Sequence, residues 1–370
     1  MNSMRVLVCT SEYPPNYSSG IGNAAYNVVE QLKKLGAECT VCSPNGDIKL
    51  GSSRMIEKLG IIGLLHYWHQ ISKYFKRKND DYDVVWLHNP LFLKKNPFQR
   101  SLVTIHSTYF GKWIQGLNPM IYNKIASKIE QHCLNKMNKA RFTAVSRRDC
   151  DDIKEAGINC EITYIPNGVD IEQFKPSDDK KMLRKKFELP DDDSVILSVG
   201  RLVTHKQPYK LINVFSLIKE EMEDVTLVIA GKGGLFEPLK KYTMKKDIKN
   251  IKFIGFVPDN DLPDLYACSD YFIIASKYEG GEPVLTVAEA MASGLPCIVS
   301  DIPNLRFIKG AKSGIVVDFN NVERAAEEII KYLSKDNSDH LENAREYTVN
   351  NFDWKMIAVM YLEELERIVS

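Results

Sequence analysis

Short apolar runs recur along nearly the whole of this 370-residue chain, each bounded by turn residues and separated from the next by a segment of helical periodicity. Runs of that kind read as strands buried on both faces. Strands alternating with helices can be joined only into a parallel sheet that the helices cover. The runs at residues 5–10, 38–43, 84–88, 102–106, 141–145 and 161–165 form a first block, and segments such as AAYNVVEQLKKLG link them. A second block follows a polar, charged stretch at residues 177–193 (SDDKKMLRKKFELPDDD), with predicted strands at 195–199, 226–230, 252–254, 271–275, 297–300 and 314–317. The expected fold class is therefore α/β: two doubly wound, Rossmann-like lobes facing a cleft, one over residues 1–176 and the other over 177–351. Residues 352–370 place apolar side chains at 357, 360, 361, 365, 368 and 369, an amphipathic helix expected to cross back and bury that stripe on the first lobe.

Composition narrows the class further. Hydrophobic residues are 44% and charged residues 26%, ordinary for a globular chain, so global disorder is excluded. No run approaches the ~20 apolar residues that span a bilayer. The start, MNSMRVLVCTSEYPP, runs into a strand rather than a leader peptide, so a cytoplasmic protein is expected. Cys39 and Cys42 form the one CxxC among eight cysteines, but residues three apart on a strand point to opposite faces, which suits packing rather than zinc. Net charge is +1, yet residues 51–150 carry 17 Lys and Arg against 6 Asp and Glu, a local +11 that calls for an anionic partner. Residues 54–78 combine an apolar centre, with Tyr67 and Trp68, and cations at the ends. That pattern suggests peripheral contact with an anionic membrane surface at its inner face, and no nucleic acid is implied.

Ligands of open α/β sheets gather at the carboxyl ends of strands, so residues just after strands carry the functional signal. Gly20 and Gly22, ahead of a helix, let backbone N–H groups approach an anion. With Ala25 they also satisfy G-x-G-x-x-A, but nine residues and two prolines separate them from the strand, which disfavours a nicotinamide or flavin cofactor. In the second lobe, SVGRLVTHKQPYKLI sets Arg201 at a strand end and Lys206 just before a helix, two long cations able to neutralise a diphosphate without a metal. Gly231 and Gly233 leave room at the next strand end, and Val257 lies in a loop whose backbone can read a base edge. The richest segment, ASKYEGGEPVLTVAEAMASGLP, offers Glu279, Gly281, Glu282, Pro283, Val284, Leu285 and Glu289. Glu282 and Glu289 are seven apart, within about 20° of one helix face if the helix reaches back that far. His88 and His106 end strands of the first lobe, and no Asp-x-Asp strand end or histidine spacing implies a metal.

Taken in order, GIGNAAYNVVEQL, TIHS, FTAVS, YIPNGVD, SVGRL, IAGKG, FIGFVP and EPVLTVAEAMASGLP resemble the retaining, nucleotide-sugar-dependent glycosyltransferases of GT-B fold, group one or family four, with a glycogen-synthase-like catalytic lobe. The resemblance covers the whole chain. It implies a metal-independent transfer of a hexosyl unit from a nucleotide diphosphate sugar to a hydroxyl of a glycan, glycolipid or lipid-linked sugar, with no further cofactor. Arg201 and Lys206 would grip the diphosphate, Gly20 and Gly22 would approach it from the other lobe, His106 would contact the transferred sugar, and Glu289 would hold the ribose. The family's two acids leave seven residues between them, whereas Glu282 to Glu289 leaves six and Glu279 to Glu289 leaves nine. Gly281 stands at the family spacing, so the sugar's acid is Glu282 or Glu279, the former preferred. Rival classes are a non-catalytic sugar or nucleotide binder of the same fold, an NAD-dependent oxidoreductase and a pyridoxal-dependent phosphorylase.

Overall fold

A computed structural model describes residues 3–15, 20–77, 81–117, 119–137 and 139–370. Residues 16–19 of the glycine loop and Lys78, the end of the basic segment, thus lie outside the described residues. The described residues form thirteen strands: β1 (Arg5–Cys9), β2 (Glu38–Ser43), β3 (Ile48–Lys49), β4 (Val84–His88), β5 (Ser101–Ile105), β6 (Arg141–Ala144), β7 (Ile162–Tyr164), β8 (Ser194–Val199), β9 (Val225–Ala230), β10 (Ile251–Gly255), β11 (Tyr271–Ile274), β12 (Cys297–Ser300) and β13 (Gly314–Val317). Twelve correspond to the predicted runs, and the two-residue edge strand β3 was not anticipated because it has no apolar run of its own.

The strands make two all-parallel sheets, in the orders β3-β2-β1-β4-β5-β6-β7 and β10-β9-β8-β11-β12-β13. Central strands are buried on both faces: every residue of β4, β5 and β9 is buried, which is why they read as unbroken apolar runs rather than alternating ones. The chain divides into two compact units. The first runs through Gly168 and also holds Gly280–Glu282 and Trp354–Ser370; the second holds Val169–Glu279 and Pro283–Asp353. The division therefore falls just ahead of the polar stretch at 177–193.

The C-terminal helix spans Trp354–Val369, after a separate helix Ser338–Phe352 that stops at extended Asp353. It packs in the first unit against the helix Gly20–Lys34 and against β4 and β5, as its apolar stripe required. The Tyr361 ring lies 4.7 Å from Trp86, whose indole N–H donates to Thr104 Oγ1 at 2.7 Å. Glu364, almost wholly buried, accepts from Arg141 Nε at 3.0 Å. An aromatic pair and a shielded ion pair thus fasten the last helix to strands more than two hundred residues earlier.

One expectation needs correction. Residues 54–78 fold largely as two helices, Ser53–Leu59 and Ile61–Tyr74, broken at Gly60, whose φ of 52° favours glycine. Tyr67 and Trp68, read as part of a membrane-facing centre, are fully buried, and Tyr67 Oη donates to the Cys42 carbonyl at 2.8 Å. They are core, because the longer helix turns this face onto the first sheet's hydrophobic cluster.

Truncating Tyr361 to Ala removes a buried ring and leaves a cavity against Trp86, which should cost roughly 3 kcal/mol of unfolding free energy. Urea unfolding followed by tryptophan fluorescence checks this. A loss of a few tenths would show that the C-terminal helix is not needed to hold the first unit.

Candidate active site

In the second sheet the strand order reverses between β8 and β11, the place where a doubly wound sheet opens a crevice at its carboxyl edge. The loop leaving β8 is laced to its neighbour: Gly200 N–H donates to the Ala230 carbonyl at 3.0 Å, and Leu202 N–H to the Lys232 carbonyl at 2.9 Å. Gly231, at φ 138°, permits this, since a Cβ there would lie 1.9 Å from the Gly200 oxygen. Gly233 belongs to the same tight crossing. Arg201 is thereby held exposed, in no ion pair among the described residues.

The chain then makes a 3-10 turn, Thr204–Lys206, and passes through left-handed Gln207 into the helix Pro208–Glu221. Lys206 Nζ reaches Glu279 Oε1 at 2.5 Å, and Ser276 Oγ donates to the same oxygen at 2.5 Å. The Lys277 N–H donates to the His205 carbonyl at 2.8 Å, so the loops after β8 and β11 are tied by backbone as well as by charge. Glu279 is buried and Lys206 partly so, which strengthens their attraction relative to a solvated pair. An ammonium has three N–H donors, and the carboxylate occupies one, so the cation still has donors for an anionic ligand.

Further along, the helix Leu285–Ala292 begins after Val284, whose extended backbone makes no side-chain cap bond. Its first N–H groups therefore have no side-chain acceptor, and Pro283, Val284 and Leu285 sit at that positive helix end. Glu289 lies on this helix and accepts from Tyr266 Oη at 2.8 Å. Burial pushes its carboxyl up to about 7, against the opposing pull of the Tyr266 hydrogen bond. After β10, Val257 is buried while Phe256 stands exposed beneath Lys232, whose Nζ is 5.7 Å from the ring centroid.

Glu282 is placed differently from the helix-face expectation. The helix starts at Leu285, so Glu282 precedes it and shares no helical face with Glu289. With Gly280 and Gly281 it counts with the first unit, where its N–H donates to the Val145 carbonyl at 2.8 Å and its own carbonyl accepts from Asn167 N–H at 3.1 Å. Its carboxylate accepts from the Arg147 backbone N–H at 3.2 Å and pairs with the Arg147 guanidinium, which lies 4.2 Å over the Tyr164 ring. The two acids left open by the sequence thus have separate partners, Lys206 for Glu279 and Arg147 for Glu282.

In the first unit, Gly20 opens the helix Gly20–Lys34 and Gly22 lies against the loop after β1, where a Cβ would come within 3.1 Å of the Glu12 backbone. His88 ends β4 and His106 follows β5, with His88 Nδ1 and His106 Nε2 2.9 Å apart. Burial lowers the His106 imidazole to about 3, and burial together with His106 lowers that of His88 well below its ordinary value. Both rings are neutral near pH 7, one donating to the other. Tyr266 and Arg147 lie outside the quoted motifs, and Ser276 lies in one without having been singled out; each matters through a side chain that the fold brings to it. Among the described residues no group of three or more His, Cys, Asp or Glu is placed to hold a metal ion.

Residues 179–350 match the family model described as glycosyl transferases group 1, and residues 18–173 the model described as glycosyltransferase family 4. The chain is 32% identical to a UDP-Gal:alpha-D-GlcNAc-diphosphoundecaprenol alpha-1,3-galactosyltransferase of Escherichia coli, over 54% of this chain and 53% of that protein. It is 26% identical to spore coat protein SA of Bacillus subtilis over 98% of each. Its fold resembles sucrose-phosphate synthase from Thermosynechococcus elongatus, with a TM-score of 0.78, 17% identity and 99% of each chain covered.

The histidine pair has a measurable signature. The folded pKa of His106 is about 3 against 6.5 for a free imidazole, so between those values the unfolded chain binds the proton and the folded chain does not. This contribution is present above pH 6.5 and is lost as pH falls towards 3. His106→Gln should flatten the acid-side decline of unfolding free energy relative to the parent. Equal slopes in the two proteins would show that His106 is not buried as a neutral ring.

Proposed function

The chain belongs to the group 1, family 4 glycosyltransferases of GT-B fold, and from that premise we propose a retaining, metal-independent hexosyltransferase whose second unit grips a donor diphosphate with Arg201 and Lys206. The enzyme transfers sugar from a nucleotide sugar; the assignment of roles rests on one observation. At the point where the second sheet reverses its strand order, the exposed Arg201 guanidinium and the Lys206–Glu279 pair stand on adjoining loops, beside a helix start with uncapped N–H groups. Cations of this kind stabilise charge that grows on a departing diphosphate more than they stabilise the intact donor, and that difference lowers the barrier.

In this reading Glu289 accepts from the ribose hydroxyls, and the loops at Val257 and at Gly231 and Gly233 border the nucleotide. Glu279 holds the hexose hydroxyls. Glu279 takes this role over Glu282 because it already meets a diphosphate-binding cation, whereas the Glu282 carboxylate is committed to Arg147. The first unit, which carries His106, Gly20 and Gly22, receives the acceptor. The acceptor hydroxyl attacks the anomeric carbon from the face the phosphate leaves, a leaving phosphate oxygen takes its proton, and the configuration is retained. The Escherichia coli relative, named for UDP-galactose and a diphosphoundecaprenol-linked sugar, supports a lipid-linked sugar as the acceptor class.

Arg201→Ala and Lys206→Ala should each lower kcat by about a hundredfold or more with the fold intact, the size of effect seen when a transition-state donor is removed, and only Lys206→Ala, which takes the cation from buried Glu279, should also lower the unfolding temperature. Near-normal turnover in both would remove the diphosphate assignment. The two acids separate by readout. Glu279→Gln should depress turnover of a nucleotide sugar, whereas Glu282→Gln should chiefly destabilise the first unit by removing the carboxylate charge that pairs with Arg147. The opposite pattern would return the sugar-binding role to Glu282.

A further inference from the structure

The cation excess of residues 51–150 acquires a location in the first unit. At the Gly60 corner, the Ile61 N–H donates to Tyr122 Oη at 3.3 Å, which sets the two helices Ser53–Leu59 and Ile61–Tyr74 against the start of the helix Met120–Leu134. The short helix Tyr109–Ile114 packs on that same helix, and Lys124 Nζ lies 5.3 Å over the Trp113 ring. Around this junction Leu59, Ile62, Ile114, Met120, Ile121 and Ile125 are all exposed, Ile121 by 78% and Ile62 by 63%. Single exposed apolar residues are ordinary, but six on adjoining helix ends form a patch.

The charge on the helices that carry the patch is mostly positive, and the acids of the helix Arg147–Glu155, which packs on Tyr109–Ile114, are accompanied by Arg147, Arg148 and Lys154. Ile121 and Ile125 are one turn apart, and so are Lys124 and Lys128 beside them; Lys58 and Lys112 belong to the neighbouring helices. The helices Ile61–Tyr74 and Tyr109–Ile114 contain no acid. The helix Met120–Leu134 has only Glu130, which is buried and accepts from the Tyr109 and Phe110 N–H groups. Glu57 is the one acid of the helix Ser53–Leu59.

We propose that this patch docks the first unit on an anionic lipid surface, the exposed isoleucines entering the interface and the lysines meeting phosphate headgroups. The contact is interfacial, since among the described residues no helix is long and apolar enough to cross a membrane. A second copy of this chain docking face to face would set lysines against lysines with almost no acid to pair them, so a two-fold interface is disfavoured by the same charges that favour anionic lipid. The site differs from the buried aromatic centre of the 54–78 segment: the lipid-facing apolar groups come from the helix corner and from residues 114–125.

Flotation of the full chain with vesicles tests this, using phosphatidylcholine alone and phosphatidylcholine mixed with phosphatidylglycerol. The chain should float with the mixed vesicles, less so as salt rises, and not with the neutral ones. Ile121→Ser with Ile125→Ser should abolish flotation. Lys124→Ala with Lys128→Ala should weaken it about thirtyfold, from ~1 kcal/mol per cation at an anionic surface and ~1.4 kcal/mol per factor of ten. Both double variants should keep the parent's thermal unfolding and its turnover on a soluble acceptor, so a failure here is distinct from a failure of the transferase roles. Absence of flotation with mixed vesicles overturns the proposal, as does flotation that both variants leave unchanged. It is equally overturned by a parent dimer that the isoleucine variant splits while neither protein floats.

Discussion

A parallel sheet leaves neither face to water, and from that constraint the rest of the structure follows. Most strands are followed by a helix that returns over one face, β2–β3 and β4–β5 being joined without one, so the strand carboxyl ends collect on one edge and the connecting helices start beside it. In the second unit β9 lies to one side of β8 and β12 to the far side of β11, so the connections leaving β8 and β11 run in opposite directions while the loops that begin them border one crevice and are tied across it. Arg201 and Lys206 come from one of those loops and Glu279 from the other. The Lys206–Glu279 pair is thus a consequence of strand order before it is a matter of chemistry, and on the other side the Gly231 contact with Gly200 fixes how closely the loops after β8 and β9 can approach.

The site divides its charges between readiness and restraint. Arg201 is exposed and in no ion pair among the described residues, which suits capture of an anion arriving from solvent. Lys206 is held in place by a carboxylate that a hydroxyl oxygen also supports, so its position is set before any ligand arrives. The acids and bases withdrawn from water behave in the opposite sense. Glu289 is pushed up to about 7 and His106 down to about 3, both because burial penalises the charged form. Hydrogen-bonding groups placed in advance need little reorganisation when a polar ligand meets them.

The same packing logic explains where the surface departs from its sequence pattern. Tyr67 and Trp68 sit in the middle of an amphipathic, basic stretch, yet the helix that carries them turns that face to the first sheet. Ile121 and Ile125, in a segment that drew no notice as a sequence, are left outside because the other face of their helix holds Ala126, Glu130, Cys133 and Leu134 in the core. Hydrophobicity along a chain reports how much apolar surface exists, and only the helix's neighbours decide which side of it is covered.

Much of this protein was legible in its residues. Twelve of the thirteen strands among the described residues, both sheets, the helical C-terminal segment and the order of the loops that follow the strands come from local patterns: buried strands must be apolar throughout, and turns and helix starts need particular residues. What stayed hidden was pairing at a distance. Glu279 and Glu282 are three residues apart and look interchangeable, but one meets a lysine 73 positions away and the other an arginine 135 away. No periodicity encodes that choice, because it depends on where two connecting loops end in space, and a turn of backbone between Gly280 and Pro283 sends neighbouring carboxylates to different units.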